Sequence, residues 1–211
     1  MTHAPFPFSL VLFALCGGYL SGSVPYGLLL GKLCGAGDLR QKGSGNIGAT
    51  NALRVGGKKL GIATLLLDAL KGAVPVLVAK AAHPDLALIA GFGAFTGHLF
   101  PVWLKFKGGK GVAVALGVLL ALQWQVGVAL CLVWLATAIW SKYSSLSALV
   151  AFGVSPLLSY LVTHNPSVVL FTLVLAVMIW LKHAGNIKRL AQGTEGKINL
   201  RKASAHDAQK P

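Results

Sequence analysis

The sequence predicts an all-α integral membrane protein of seven transmembrane helices, with its N-terminus outside (periplasmic) and its C-terminus cytoplasmic. Three observations carry that prediction. Of 211 residues, 55% are hydrophobic and only 11% charged, at a mean hydropathy of +0.71, whereas a soluble domain is about a quarter charged. The apolar residues fall in uncharged runs near the length a bilayer requires, roughly 20 residues rising about 1.5 Å each. The cations, 19 Lys and Arg against 5 Asp and Glu, lie between alternate runs, which sets the direction of threading. An ordinary soluble domain is excluded. So is a disulfide framework: the 3 cysteines, Cys16, Cys34 and Cys131, are odd in number, lack metal-ligand spacing and read as small packing residues.

The first run, Phe8 to Leu30, carries no charge, exceeds the core of a signal peptide and has no Lys or Arg before it, so it reads as a retained span. Leu60 to Ala79, Leu86 to Trp103, Gly111 to Leu122, Val126 to Trp140, Leu146 to Val162 and Val168 to Leu181 follow. Gly111 to Trp140 fits either one long helix or two short spans turning at Gln123-Trp124-Gln125, and charge decides between them. With two spans, every Lys and Arg except Lys71, within a span, and Lys80 falls on one side. Merging them would carry Lys142 across the membrane and bring the uncharged turn Thr163-His164-Asn165-Pro166 inside. Glycine pairs four apart, Gly18 with Gly22, Gly27 with Gly31 and Gly93 with Gly97, are expected where helix backbones approach closely. No internal repeat of the transporter kind is found. One domain therefore covers residues 1–195. A basic tail, 196–211, is expected to be disordered or to lie on an anionic leaflet.

Polar chemistry is concentrated in three segments on the cation-rich side. Lys42-Gly43-Ser44-Gly45-Asn46-Ile47-Gly48-Ala49-Thr50-Asn51, followed by Arg54, has the glycines that let successive amides converge on an anion, with Ser44, Thr50 and Asn51 as side-chain donors. A flexible linker would share those glycines, and the nucleotide P-loop spacing is absent. Lys105-Phe106-Lys107-Gly108-Gly109-Lys110-Gly111 again mixes lysine with glycine, and Gly111 opens a helix whose N-terminus favours an anion. Topology alone explains these lysines but not Gly-Gly-Lys-Gly. Two separate anion sites imply two phosphorylated ligands. In the third segment His183, Asn186 and Arg189 share one face if the last helix continues, at a boundary where a neutral imidazole can exchange a proton. Glu195, among Lys188, Arg189 and Lys197, is expected to be ion-paired and to order the basic residues. Asp68 and Lys71, three apart within a span, offset each other's burial and suit a structural clamp or a functional pair equally. Ser144, Ser145 and Ser147 can add hydroxyls to the same cluster. No His-x4-Asp dyad, Gly-x-Ser-x-Gly elbow, Cys–His–Asp arrangement or metal-ligand cluster occurs, so a covalent acyl-enzyme and a metal centre are not expected.

KGSGNIGATNALR (Lys42 to Arg54), GHLFPVWLKFKGGKGVA (Gly97 to Ala113) and HAGNIKRLAQGTE (His183 to Glu195) closely resemble the three motifs of the bacterial acyl-phosphate:glycerol-3-phosphate acyltransferases, the PlsY family. The match extends to Gly22-Ser23-Val24-Pro25-Tyr26-Gly27 and to Asp68-x-x-Lys71-Gly72. The resemblance implies seven helices in the bacterial inner membrane with a cytoplasmic-side active site. It implies transfer of a fatty acyl group from acyl-phosphate to the 1-hydroxyl of glycerol 3-phosphate, giving lysophosphatidic acid and phosphate, with no cofactor and no nucleic acid partner. Functional coupling to the enzyme that makes acyl-phosphate follows. By the same resemblance, Ser44, Gly45, Asn46, Thr50, Asn51, Gly108, Gly109 and Gly111 hold the acyl-phosphate head group and Lys110 offsets its charge. Arg54, Lys105, Ser145, His183 and Asn186 grip glycerol 3-phosphate, the last four being the catalytic candidates, while Asp68, Lys71 and Glu195 are structural. The hydroxyl proton goes to His183 or to a substrate phosphate oxygen. An anion transporter, the alternative, would need polar lining on both sides of the bilayer, and the outer turns at His83-Pro84-Asp85 and Thr163-His164-Asn165-Pro166 offer little of it.

Overall fold

The computed structural model describes residues 7–198, and these form ten α-helices. The first apolar run is broken into α1 (Phe8–Ser23) and α2 (Tyr26–Leu33), because Pro25 has no amide for the helical ladder and Val24 before it is extended, at ψ 118°. The uninterrupted helix expected from Phe8 to Leu30 is corrected accordingly. α3 (Ala49–Ala82) starts inside the first glycine-rich motif, so Thr50, Asn51 and Arg54 ride on helix rather than loop. Gly57 interrupts the regular dihedrals of α3 at φ 78°, a conformation that favours glycine. Next come α4 (Leu86–Leu99), α5 (Val112–Leu122) and α6 (Trp124–Ser141); Gly111 to Trp140 is thus two helices breaking at Gln123. α7 (Ser144–Gly153) and α8 (Ser155–Thr163) are bent by 43°, and α9 (Pro166–Lys182) and α10 (Ala184–Ala191) by 60°. Among the described residues 4 stretches are long and apolar enough to cross a membrane, or up to 6 if each bent pair is one span, and α5 is a shorter apolar helix.

Small residues bring backbones into contact. A Cβ at Gly18 or Gly22 would stand 2.2 or 1.9 Å from the carbonyl oxygens of Ala90 and Ala94, and one at Gly93 or Gly97 would stand 2.3 or 2.2 Å from those of Leu15 and Tyr19. α1 and α4 therefore interlock through two of the three expected glycine pairs, whereas Gly27 and Gly31 of α2 lie against the loop carbonyls of Ile47 and Gly37 rather than against another helix. α3 and α5 meet likewise, with Gly72 against Val114 and Gly117 against Ala69. The main core, around Phe95, Leu99, Val118, Leu119, Phe152 and Leu175, is fully buried where α4, α5, α7 and α9 converge. Apolar side chains facing outward, among them Phe13, Val78, Leu132 and Ile139, are largely exposed, as a lipid-facing surface requires.

Two expectations need adjustment. Cys16 and Cys34 are exposed rather than packed, and only Cys131 is part-buried. The start of the tail is held in place: Arg54 donates to the Gly196 carbonyl at 2.7 Å and the Ile198 amide donates to the Lys142 carbonyl at 2.7 Å. The rest of the tail lies outside the described residues.

Candidate active site

All three motifs converge on one cavity of about 380 Å³. Ser44, Asn46, Thr50, Arg54, Lys110, Ser145, His183, Asn186 and Glu195 line it where the loops meet the helices. Leu65, Leu66 and Ala69 of α3, Leu116 and Leu120 of α5, and Cys131 and Trp134 of α6 continue its wall between the helices. Its mouth is cationic and opens on an apolar groove, and a second hollow beside the mouth is lined by Gly43, Ser44, Arg54, Arg189, Glu195 and Gly196.

In the first motif Asn51 organises the loop. It is 1% exposed, its Oδ1 accepts from the Ser44 amide at 2.8 Å, and its Nδ2 donates to the carbonyls of Leu39, Lys42 and Asn46 at 2.9, 3.1 and 2.8 Å. Asn51 lines the cavity as expected, but with its side-chain amide committed to the backbone it acts as a loop clamp; an Asn side chain stands in readily for turn backbone. Gly45 is also corrected: its amide closes a turn on the Lys42 carbonyl at 3.1 Å and it does not line the cavity. Asn46 closes a turn just before α3, its Oδ1 accepting from the Gly48 amide at 2.9 Å, and Thr50 shares a 2.8 Å hydrogen bond with Ser144.

The second motif contributes less than expected. The amides of Gly108 and Gly109 donate to the carbonyls of Leu99 and His98 at 3.2 and 3.1 Å, so neither is available to a phosphate. Lys105, left-handed at φ 51°, is exposed and absent from the cavity wall. Lys110 and Gly111 do line it, and the Lys110 ammonium donates to Asn186 Oδ1.

The third motif does not continue one helix. The 60° bend at His183 separates α9 from α10, so His183, Asn186 and Arg189 share no single helical face. His183 Nδ1 lies 2.8 Å from the Ile179 carbonyl; a carbonyl only accepts, so the proton sits on Nδ1 and the neutral ring keeps its lone pair on Nε2. The chain turns at Gly193 and returns Glu195 to the cavity. There the carboxylate accepts from Ser145 Oγ at 2.7 Å, Asn186 Nδ2 at 2.6 Å and Arg189 Nε at 2.7 Å. Burial pushes the Glu195 carboxyl up, but the hydrogen bonds from Ser145, Asn186 and Arg189 outweigh it and hold the group below its ordinary range. Burial lowers Lys110 to about 8, with Glu195 opposing and Arg189 and Arg54 adding to the shift. Ser147 turns away, donating to the Tyr143 carbonyl.

Below the mouth, Lys71 Nζ lies 2.7 Å from Asp68 and donates at 2.7 Å to the Val24 carbonyl at the α1–α2 break, which also accepts from the Tyr26 amide at 3.1 Å. Asp68 and His98 also line the cavity, which the sequence reading missed for His98. Its one signal was a polar residue ending an apolar span just before Gly-Gly-Lys-Gly. The groove wall of Leu116, Leu120, Cys131 and Trp134 was missed as well, because residues facing a gap between helices carry no local pattern.

Comparison with known proteins fits this geometry. The glycerol-3-phosphate acyltransferase family matches residues 12–193. The glycerol-3-phosphate acyltransferase of Mesorhizobium japonicum is 54% identical over 191 residues, 90% of this chain and 97% of that protein, and that of Methylorubrum extorquens is 56% identical over 188 residues, 89% and 93%. The crystal structure of PlsY, an integral membrane glycerol 3-phosphate acyltransferase, in its glycerol 3-phosphate form superposes with a TM-score of 0.85 at 38% identity, covering 90% of this chain and 96% of that one. Its lysophosphatidic acid form gives 0.83 at 37%. Helix order, the three motifs and the cavity they share thus have one common explanation: the chain belongs to the PlsY family of integral membrane glycerol-3-phosphate acyltransferases.

Proposed function

We propose that the cavity transfers a fatty acyl group from acyl-phosphate to the 1-hydroxyl of glycerol 3-phosphate, giving 1-acylglycerol 3-phosphate and inorganic phosphate. The continuity of the cationic mouth with the apolar groove carries this reading: a donor with a phosphate head and a long chain matches both parts at once. Ser44, Asn46, Thr50 and Lys110, with the α5 N-terminus at Gly111, take the acyl-phosphate head group. Arg54, Ser145, His183 and Asn186 take glycerol 3-phosphate. The hydroxyl oxygen bonds to the acyl carbon while the bond from that carbon to the phosphate oxygen breaks; the hydroxyl proton passes to His183 Nε2 or to a phosphate oxygen, and phosphate leaves. Acyl-phosphate is a mixed anhydride with a good leaving group, so alignment and preorganised positive charge supply most of the acceleration.

Cation distribution supports a seven-span threading in the bacterial inner membrane, N-terminus outside, with α1–α2 and α7–α8 each as one broken span and α10 lying beyond the seventh. The site then faces the cytoplasm, where a reactive donor is best delivered by coupling to the enzyme that makes it. Purified protein in detergent, given palmitoyl-phosphate and glycerol 3-phosphate, is expected to release lysophosphatidic acid and phosphate together. No phosphate release without a compartment would overturn the reading in favour of transport. His183→Ala that keeps kcat and raises only KM for glycerol 3-phosphate assigns the proton to the substrate phosphate; collapse of kcat assigns it to His183.

A further inference from the structure

Between the second motif and the Asp68–Lys71 pair stands a side chain the proposed reaction does not use. His98, in the last turn of α4, is 4% exposed and lines the cavity; its Nδ1 has no hydrogen-bond partner and lies 4.0 Å from Asp68 Oδ1. The chain leaves α4, turns through residues 100–107 and comes back over this ring. Gly109 is tied to the His98 carbonyl at 3.1 Å, and a Cβ on Gly109 would stand 2.2 Å from His98 Nε2 and 2.8 Å from Cε1. Lys110 is the next residue. On the ring's other side Asp68 is held by Lys71, itself bound to Val24.

We propose that His98 is a positioning residue: backed by Asp68, its imidazole is the seat on which Gly108-Gly109 rest, and it fixes where Lys110 enters the cavity. This rests on the reading of Lys110 as a substrate-facing cation. A lysine stem is long and flexible, so its charge is preorganised only if its backbone is immobile. The seat also explains the glycines that membrane topology left unexplained. Position 109 is glycine because the imidazole occupies the space of a side chain, not because a phosphate needs the amide.

A double-mutant cycle tests the seat. Gly109→Ala drives a methyl group into the ring and shifts Lys110, with an expected loss of about 100-fold in kcat/KM for palmitoyl-phosphate, the scale of a 1 Å misplacement. His98→Ala removes the seat, with an expected loss of about tenfold, the low end for residues supporting a site. In the double variant the methyl group fills the vacated space, so the expected loss is that of His98→Ala alone. A second readout is the alkaline limb of kcat/KM. Lys110 faces Glu195, Arg54, Arg189 and the His183–Asn186 turn; once unseated it is better solvated, and the limb is expected to move up in His98→Ala. Should that variant not fold, as judged by thermal unfolding in detergent, His98→Asn opens similar space while keeping a polar group toward Asp68. Full activity in Lys110→Ala overturns the reading of Lys110. If Lys110→Ala is crippled but the double variant shows the product of the two single losses, or the limb stays in place, the seat alone is overturned.

Discussion

Two ionic clusters reach the same cavity, each through one carboxylate, Asp68 in the first and Glu195 in the second, and they are built in opposite ways. Asp68 and Lys71 sit one turn apart on α3, their side chains 3% and 2% exposed, one charge against one, with the spare donor of Lys71 spent on Val24. Glu195 is met from separate elements, by Ser145 of α7 and by Asn186 and Arg189 of α10. Lys110 and Arg54 stand near enough to add to the field there. The first cluster is closed and locally neutral, so it joins helices. In the second, cations outnumber the one carboxylate, and that surplus is the charge a phosphorylated substrate can neutralise.

The sharpest way to break the contrast is to unbalance the closed pair. Lys71→Met leaves Asp68 buried without its partner and is expected to cost about 3–5 kcal/mol in thermal or denaturant unfolding in detergent, while Asp68→Asn added to it recovers much of the loss. Wild-type unfolding of Lys71→Met would show that the pair is not a clamp. In the open cluster the signature reverses. Lys110→Ala is expected to leave unfolding nearly unchanged but to lower kcat/KM for palmitoyl-phosphate by about 10²–10³, the range for deleting one donor to a developing anion. A loss read only in KM for glycerol 3-phosphate, with kcat and the donor KM both unchanged, would sink its assignment to the acyl-phosphate.

Glu195→Gln refines the comparison. The amide keeps the shape but has one accepting oxygen where the carboxylate has two, so it can keep the donors of one side, Ser145 and Asn186, or of the other, Arg189, and the surplus of positive charge grows. About a tenfold loss is expected, read mostly in KM for glycerol 3-phosphate, because the donors that Glu195 orders are those proposed to hold that substrate. A loss confined to kcat, with both KM values unchanged, would argue that Glu195 acts on the reacting atoms instead.

What could be read from sequence follows the range of the forces involved. Apolar runs, the break at Gln123, and the glycine pairs joining α1 to α4 obey spacing rules that hold within a helix, and they were legible. Pro25 was in plain view, yet the surrounding hydrophobicity masked the α1–α2 break. Asn51, Gly108 and Gly109 were read as ligand donors because a glycine-rich loop that binds an anion and one that closes on its own carbonyls have the same composition. The two differ in where the amides point, which composition does not encode. The return of Glu195 onto Asn186 and Ser145, and the bend that splits His183 from Asn186, depend on turns whose outcome is set by tertiary contacts. His98 escaped notice because its partners, Asp68 and Gly109, come from a different helix and from the far end of a loop.

The smallest effect is the most specific to the open cluster. Lys110 is charged below its value of about 8 and neutral above it, whereas phosphate esters complete their second ionisation near pH 6. Between these limits the substrates carry full charge and the lysine still does. kcat/KM, which reports the free enzyme, is therefore expected to be level near neutrality and to fall up to tenfold per unit once pH rises through about 8. Glu195 favours the charged lysine, so Glu195→Gln is expected to bring the fall to lower pH. Lys110→Arg, whose guanidinium stays charged throughout, is expected to remove the fall from the profile whatever its absolute rate. A fall that persists unchanged in Lys110→Arg would assign it to another group and leave the cationic surplus without its proposed titrating member.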